Sequence, residues 1–374
     1  MSIYIDLSEF LLHPLTTGIQ RVTIELCWRL PAGLSIPIRL HSGQYVSLSD
    51  ELRKAVADYF SDASPSRAAE IRGLAATNVG EVIRLSEHDT LLVSEVFFEP
   101  GRLAWFSHMP DREFRNVRFV IHDLLPLTHP QYFIATESEQ LCGYFHIIRQ
   151  AHHCVFTSEY TRSLYSKYLT PAAQHNSIVI PLGSDSLGPR AVRPLYNRKL
   201  SFNVVGTIEP RKNHELILDA FEPLLKDIPE LTLSFIGRMG WIGSNFTRRV
   251  QDLAKGNNSG FRFYSGLADD TIRNCIEECR ATIYVSSAEG YGLPPVESLW
   301  AGTPVIASRA IPSLHSIGTA GIHYVDPLTP ENLRSAIRCF LDDEYANEKT
   351  RQALRLTLPT WESFASEILK WCSA

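Results

Sequence analysis

Short, β-rich apolar runs alternate with stretches of helical periodicity along almost the whole chain, and such alternation belongs to βαβ units that feed parallel sheets. A first series reads SIYID (Ser2 to Asp6), TLLVSE (Thr90 to Glu95), RFVIHD (Arg118 to Asp123), CVFTS (Cys154 to Ser158) and SIVIP (Ser177 to Pro181). A second reads LSFNVVG (Leu200 to Gly206), LTLSFIG (Leu231 to Gly237), FRFYSG (Phe261 to Gly266), TIYVSS (Thr282 to Ser287), PVIAS (Pro304 to Ser308) and IHYVD (Ile322 to Asp326). Residues 34–89 contribute no strand candidate. Single cores stop growing near ~250–300 residues, so two such series in 374 residues suit two α/β domains. The weakly periodic GSDSLGPRAVRPLYNRK (Gly183 to Lys199), rich in Gly, Pro and basic residues, is the linker candidate. The expected division is a domain at 1–185, a linker at 186–199, a second domain at 200–356 and a C-terminal helix at 357–374.

Ile19, Val22, Leu26 and Leu30 make the apolar stripe of a helix over Thr17 to Leu30, with Thr17 and Gln20 spaced as a capping box. Trp361, Phe364, Ile368 and Trp371 make another behind the N-cap candidate Thr360. Ile272, Cys275, Ile276 and Cys279 fall on one helix face, where cysteine packs as a small hydrophobe. An odd seven cysteines argue for reduced thiols. His146, His152, His153 and Cys154 lack a second ligand pair at zinc-like spacing, so no metal site is assigned.

With 44% hydrophobic and 21% charged residues, the composition is that of an ordinary globular protein. A net charge of −5 gives no global attraction to nucleic acid. No apolar run approaches the ~20 residues a membrane-spanning helix needs. MSIYIDLSEF lacks the basic start and unbroken apolar core of a secretory signal, which places the chain in the cytoplasm in this reading.

Two segments carry chemistry. In SSAEGYGLPPVESLWAGTPVIAS (Ser286 to Ser308), a strand is followed by Glu289, Gly290, Gly292, Pro294 and Pro295, with Glu297 expected to open a helix. Glycines allow close backbone approach and Pro is tolerated in a first helical turn. The segment therefore sets a helix N-terminus beyond the carboxyl end of a strand, where doubly wound folds bind ligands. Acids there accept hydrogen bonds from ribose or sugar hydroxyls. The plainer alternative makes Glu297 a helix-dipole partner, worth ~0.3–1 kcal/mol, and Glu289 a solvated loop residue. In VVGTIEPRKNHELILDAF (Val204 to Phe221), Arg211 and Lys212 precede a helix, against its dipole, which points to a phosphate between them and the amides. The alternative is an exposed basic loop.

His122 and Asp123 end a strand, and His122 is placed to donate to a sugar hydroxyl or phosphate oxygen, or else to bond backbone. Gly18, after Thr16 and Thr17, brings amides near an anion, or belongs to a simple cap. GxGxxG directly after a strand, GxxxxGK[ST] and GxSxG are all missing, which removes the main support for dehydrogenase, P-loop and α/β-hydrolase readings.

Taken together, these segments resemble the retaining glycosyltransferases of family 4. EGYGLPPVE matches that family's Glu-x7-Glu signature and SLWAGTPVIAS its sequel, while GTIEPRKN, IHDLLPLTHP, FTSEYTRS and TGIQRV are similar to family segments in the family's order. The resemblance implies the GT-B fold, an α/β architecture of two facing Rossmann-like doubly wound domains with the active site between them. It implies that Arg211 and Lys212 bind the donor diphosphate, Glu297 the ribose and Glu289 the hydroxyls of the transferred sugar. Gly18 is implied near the phosphates and His122 near the sugar. The Gly292, Leu293 and Pro294 backbone would seat the donor, and Leu267 with Ala268 would lie near the base. Many members carry Arg directly after the glycine of GTIEPRKN, but Thr207 stands here, so the guanidinium is assigned to Arg211.

The function implied is a retaining, metal-independent hexosyltransferase that needs no cofactor. Its donor would be a nucleoside-diphosphate sugar, with GDP-mannose the choice because GTIEPRKN resembles mannosyltransferase members. Its acceptor would be a glycan or lipid-linked saccharide of bacterial surface polysaccharide synthesis. A lipid-linked acceptor would bring the chain to the inner face of the membrane as a peripheral contact, although no long cationic amphipathic helix demands it. No nucleic-acid partner is expected, and oligomeric state is left open. The alternatives are a phosphorylase or epimerase on the same scaffold, and a nucleotide-sugar-binding protein without catalysis.

Overall fold

Thirteen strands form two sheets in the computed structural model, which describes residues 2–15, 17–61, 64–77, 80–170, 175–190, 198–256 and 260–373. Thr16 and residues 191–197 of the expected linker lie outside the described residues. The chain divides into two units. Unit 1 comprises residues 1–128, 135–182 and 360–374, and unit 2 comprises 129–134 and 183–359.

Unit 1 holds β1 (Ile3–Asp6), β2 (Ser35–His41), β3 (Gln44–Ser47), β4 (Thr90–Val93), β5 (Val117–Ile121), β6 (His153–Phe156) and β7 (Asn176–Val179), in the order β3-β2-β1-β4-β5-β6-β7. All pairs are parallel except β2 with β3. The sequence reading missed β2 and β3. Ser42 and Gly43, both at positive φ (49° and 78°), join them by a two-residue turn whose twist suits a hairpin. The Ser-Gly pair between SIPIRLH and QYVS was the available signal. β2 is covered on both faces only in part, and Pro37 interrupts its apolar run, so it lacks the unbroken pattern of the central strands.

Thr17 accepts from Gln20 N as an N-cap, but only half of the expected capping box forms. The Gln20 amide turns outward from the helix, accepting from Leu15 N and donating to His13 O, and so tethers the preceding loop. The C-terminal helix Trp361–Ser373 buries Trp361, Phe364, Ile368 and Trp371 and packs on helix Gly18–Arg29 within unit 1. Thr360 caps it by accepting from Ser363 N, and the Arg118 guanidinium lies 5.3 Å from the Trp371 ring centroid. The histidine group at 152–153 points apart: His152 bonds Asp111, while His153 meets Trp371 edge-on.

Unit 2 holds β8 (Ser201–Val205), β9 (Thr232–Ile236), β10 (Phe261–Tyr264), β11 (Ala281–Tyr284), β12 (Val305–Ala307) and β13 (Ile322–Tyr324), all parallel, in the order β10-β9-β8-β11-β12-β13. Phe202, Phe221, Phe235 and Phe261 are buried in its core. Residues 129–134 group here because Trp241 Nε1 donates to Tyr132 O at 2.7 Å and its ring lies tilted against Phe133 at 6.0 Å. Strand order reverses between β8 and β11, and the crevice beyond the carboxyl ends at such a reversal is where doubly wound sheets take ligands.

Candidate functional site

Gly206 directly follows β8, and the loop behind it returns as a single 3₁₀ turn, Pro210–Lys212, before helix His214–Asp227. Asn213 closes that turn in the left-handed conformation (φ 55°), which Asn tolerates better than most residues. Its side-chain amide donates to Val285 O at 2.7 Å and Ser287 Oγ at 2.8 Å, and Ser287 N donates to Arg211 O at 2.7 Å. The loop after β8 is thereby fastened to the loop after β11, across the strand reversal.

That fastening brings Arg211 to Glu289. Arg211 Nη1 lies 2.5 Å from Glu289 Oε2 and donates to Ala288 O at 3.0 Å, while Nη2 pairs with Glu209 Oε1 at 2.6 Å. Ser286 Oγ donates to the other Glu289 oxygen at 2.8 Å. Glu289 is not a solvated loop residue, since only 14% of its side chain is exposed. Burial pushes its carboxyl upward, but the Arg211 and Lys212 charges and the Arg211 and Ser286 hydrogen bonds outweigh burial and hold it below its ordinary value.

The expectation that both cations need an external anion is corrected for one of them. Glu209 and Glu289 already compensate Arg211, so its position before a helix carries no electrostatic mismatch. Lys212 is different. Among the described residues no carboxylate or carbonyl bonds its ammonium, and a Cβ added to Gly206 would sit 2.6 Å from Lys212 Nζ. Lys212 therefore arches over the backbone at the end of β8. His214 behind it is fully buried, and burial, followed by the Lys212 charge, draws its pKa down to about 3, so it stays neutral.

Glu297 also differs from expectation. The helix spans Leu293–Trp300, because Pro294 and Pro295 fit its first turn, and Glu297 falls in the second turn rather than opening it. It is buried at 7% exposure, and a dipole effect confined to the first turn no longer explains it. The Tyr284 hydroxyl, whose pKa is raised by burial and, more weakly, by the Glu297 charge, pairs with Ser298 Oγ at 3.2 Å. Gly292 caps this helix at φ 89°, and an added Cβ would lie 2.5 Å from Ile311 Cγ2. The Gly292 carbonyl accepts from Ser313 Oγ at 2.7 Å. Leu267, half-buried, and Ala268, exposed, follow Gly266 beyond β10, two strands from β8.

In unit 1, His122 Nε2 donates to Ser94 O at 2.7 Å, the backbone alternative raised by the sequence. Burial lowers its pKa, only partly opposed by that hydrogen bond and by Asp123. The neutral ring so fixed offers Nδ1 as an acceptor, not the donor that was expected. Gly18 is the first residue of its helix, behind the N-cap Thr17, with no atom within 4 Å of an added Cβ.

Sequence reasoning overlooked Glu209, Ser286 and a buried network at the β1–β4 reversal. There Arg102 Nη2 pairs with Asp6 at 2.6 Å and Nη1 with Glu95 at 3.3 Å. Glu95 also accepts from the backbone of Glu9 and Phe10. Asp6 and Glu95 both close apolar strand runs, which was the legible signal.

Two doubly wound sheets, parallel apart from the β2–β3 pair, are the architecture of the GT-B fold, to which the likeness to solved structures also points. Residues 190–356 match the family "Glycosyl transferases group 1". The chain is similar to the serotype-specific mannosyltransferase WbdA of Escherichia coli, 24% identical over 386 residues, covering 98% of this chain and 44% of that one. It thus spans under half the length of that relative. It is also similar to the O-antigen chain mannosyltransferase B of Escherichia coli, 24% identical over 390 residues and covering 97% of each. Among solved structures it resembles Anabaena HepE in complex with UDP and glucose, with a TM-score of 0.68, 15% identity and full coverage of both chains.

Proposed function

We propose that the chain is a glycosyltransferase that moves a sugar, mannose being the first choice, from a nucleoside diphosphate to a glycan or lipid-linked glycan acceptor of a bacterial surface polysaccharide. The observation that carries this reading is that, at the β8–β11 reversal, a Lys212 ammonium to which no carboxylate among the described residues is hydrogen-bonded lies in the same site as a Glu289 carboxylate oriented by Arg211 and Ser286. Activated sugars present the matching groups, an anionic diphosphate beside a ring of hydroxyl donors. The relatives named as mannosyltransferases of O-antigen and serotype assembly support the choice of sugar and acceptor class.

In this mechanism the bond from the anomeric carbon to the β-phosphate oxygen breaks while the acceptor oxygen bonds the same carbon on the same face, retaining configuration. The acceptor's proton passes to the departing phosphate oxygen. Lys212 stabilises the charge that develops there, a role whose loss typically costs ~10²–10³ in rate. Glu289 accepts from sugar hydroxyls and Glu297 from the ribose. Arg211 acts on Glu289, not on the substrate. No metal or cofactor is required by these steps.

The test is a transfer assay with GDP-mannose, UDP-glucose and dTDP-glucose against mannan oligosaccharides and polyprenyl-diphosphate-linked saccharides. The reading expects glycoside product with retained configuration, lost in Glu289→Gln. Donor turnover to an epimer, or phosphate-dependent release without an acceptor, would overturn it.

A further inference from the structure

Lys212 alone is a poor match for a diphosphate, which carries at least two negative charges, and Arg211 is already occupied by two carboxylates. The loop beyond β9 brings up another cation. Gly237 crosses under Gly206 so closely that a Cβ on Gly237 would lie 2.1 Å from Gly206 O, and at φ 153° the position also favours glycine. Ile208 N donates to Arg238 O at 2.9 Å, continuing the β8–β9 ladder past both glycines. Arg238 is carried alongside Thr207, with its Nε donating to Thr207 Oγ1 at 3.3 Å. Lys212 arches over Gly206 and Arg238 reaches Thr207, so the two cations flank adjacent residues, whose Cα atoms are about 3.8 Å apart. Arg238 is exposed, and among the described residues no carboxylate pairs with it.

We propose that Arg238 is the second diphosphate-binding residue of this chain, completing with Lys212 a two-cation clamp over Gly206 and Thr207. This rests on the nucleotide-sugar reading above. Thr207 supplies the hydroxyl that holds Nε, leaving both terminal guanidinium nitrogens to fork onto phosphate oxygens, a geometry that lysine cannot reproduce. The glycines on both sides keep the backbone low enough for the anion to approach.

The experiment is calorimetric titration of GDP, UDP, GMP and UMP into the wild-type chain, Arg238→Ala, Arg238→Lys and Thr207→Val, with thermal melting as the folding control. The clamp predicts that Arg238→Ala binds the preferred diphosphate about 10- to 100-fold more weakly, with a smaller loss for its monophosphate. Arg238→Lys should recover part of the loss, and Thr207→Val should weaken diphosphate binding several-fold. A wild type that binds a diphosphate, with an Arg238→Ala variant that binds it equally well, overturns the clamp and leaves the nucleotide-sugar reading standing. A wild type that binds no nucleotide overturns both.

Discussion

Arg211 and Glu289 stand 2.5 Å apart, joined by one arm of a guanidinium whose other arm grips Glu209. The relationship turns two residues with separately expected roles into one unit, in which the cation orients the acid. Glu209→Gln should loosen that unit without touching substrate. We expect kcat in a sugar-transfer assay to fall, by about tenfold if the lost charge-assisted bond costs the transition state ~1.4 kcal/mol, while the Kd for GDP changes less than twofold. An equal rise in Kd would place Arg211 on the phosphate instead.

The ionised Glu289 should also leave a mark on stability. Its folded-state pKa is depressed below the ordinary 4.5, so its contribution is present above that value and disappears as pH falls through the folded value. Urea denaturation of the wild type and Glu289→Gln should show the wild type more stable near neutrality, with the gap closing below about pH 4.5. A gap that widens with acid would mean the pair does not stabilise the ionised form.

Gly292→Ala probes the helix start beside Glu289. A side chain there meets both a positive φ and Ile311 Cγ2 at 2.5 Å, so destabilisation of at least ~1–2 kcal/mol is expected. Differential scanning calorimetry reads it as a drop in Tm, and an unchanged Tm would show that the loop relaxes freely.

In unit 1, Arg102→Ala leaves Asp6 and Glu95 facing each other in a buried site. Removing one partner from such a network typically costs ~3–5 kcal/mol. Chemical denaturation followed by tryptophan fluorescence should show this loss, and Arg102→Lys should not fully restore it, because one nitrogen cannot reproduce the planar fork whose separate arms reach Asp6 and Glu95.

Where the sequence spoke clearly, local chemistry and tertiary structure agreed. The central strands β1, β4 and β5 of unit 1 and β8, β9 and β11 of unit 2 are apolar runs because both faces are covered, and each was readable within a residue or two at either end, except that β11 stops at Tyr284, three residues before the expected Ser287. β2 and β3 were not, since an edge hairpin needs no continuous apolar run and its signal shrank to Ser42 and Gly43. Glu289 and Lys212 stood out by their glycine and strand context. What the sequence could not convey was pairing across 78 positions, from Arg211 to Glu289, which joins the expected phosphate ligand to the expected sugar ligand in one ion pair. His122 was similarly reversed by Ser94 O, a backbone atom that no side-chain pattern announces.

The most direct test of the whole account is a crystal structure of the chain with GDP-mannose. The account predicts the diphosphate over Gly206 within hydrogen-bond reach of Lys212, the ribose at Glu297 and the sugar hydroxyls on Glu289, with the Arg211–Glu289 pair intact. A nucleotide bound away from the β8–β11 reversal, or a diphosphate that breaks this pair to take Arg211 for itself, would contradict it.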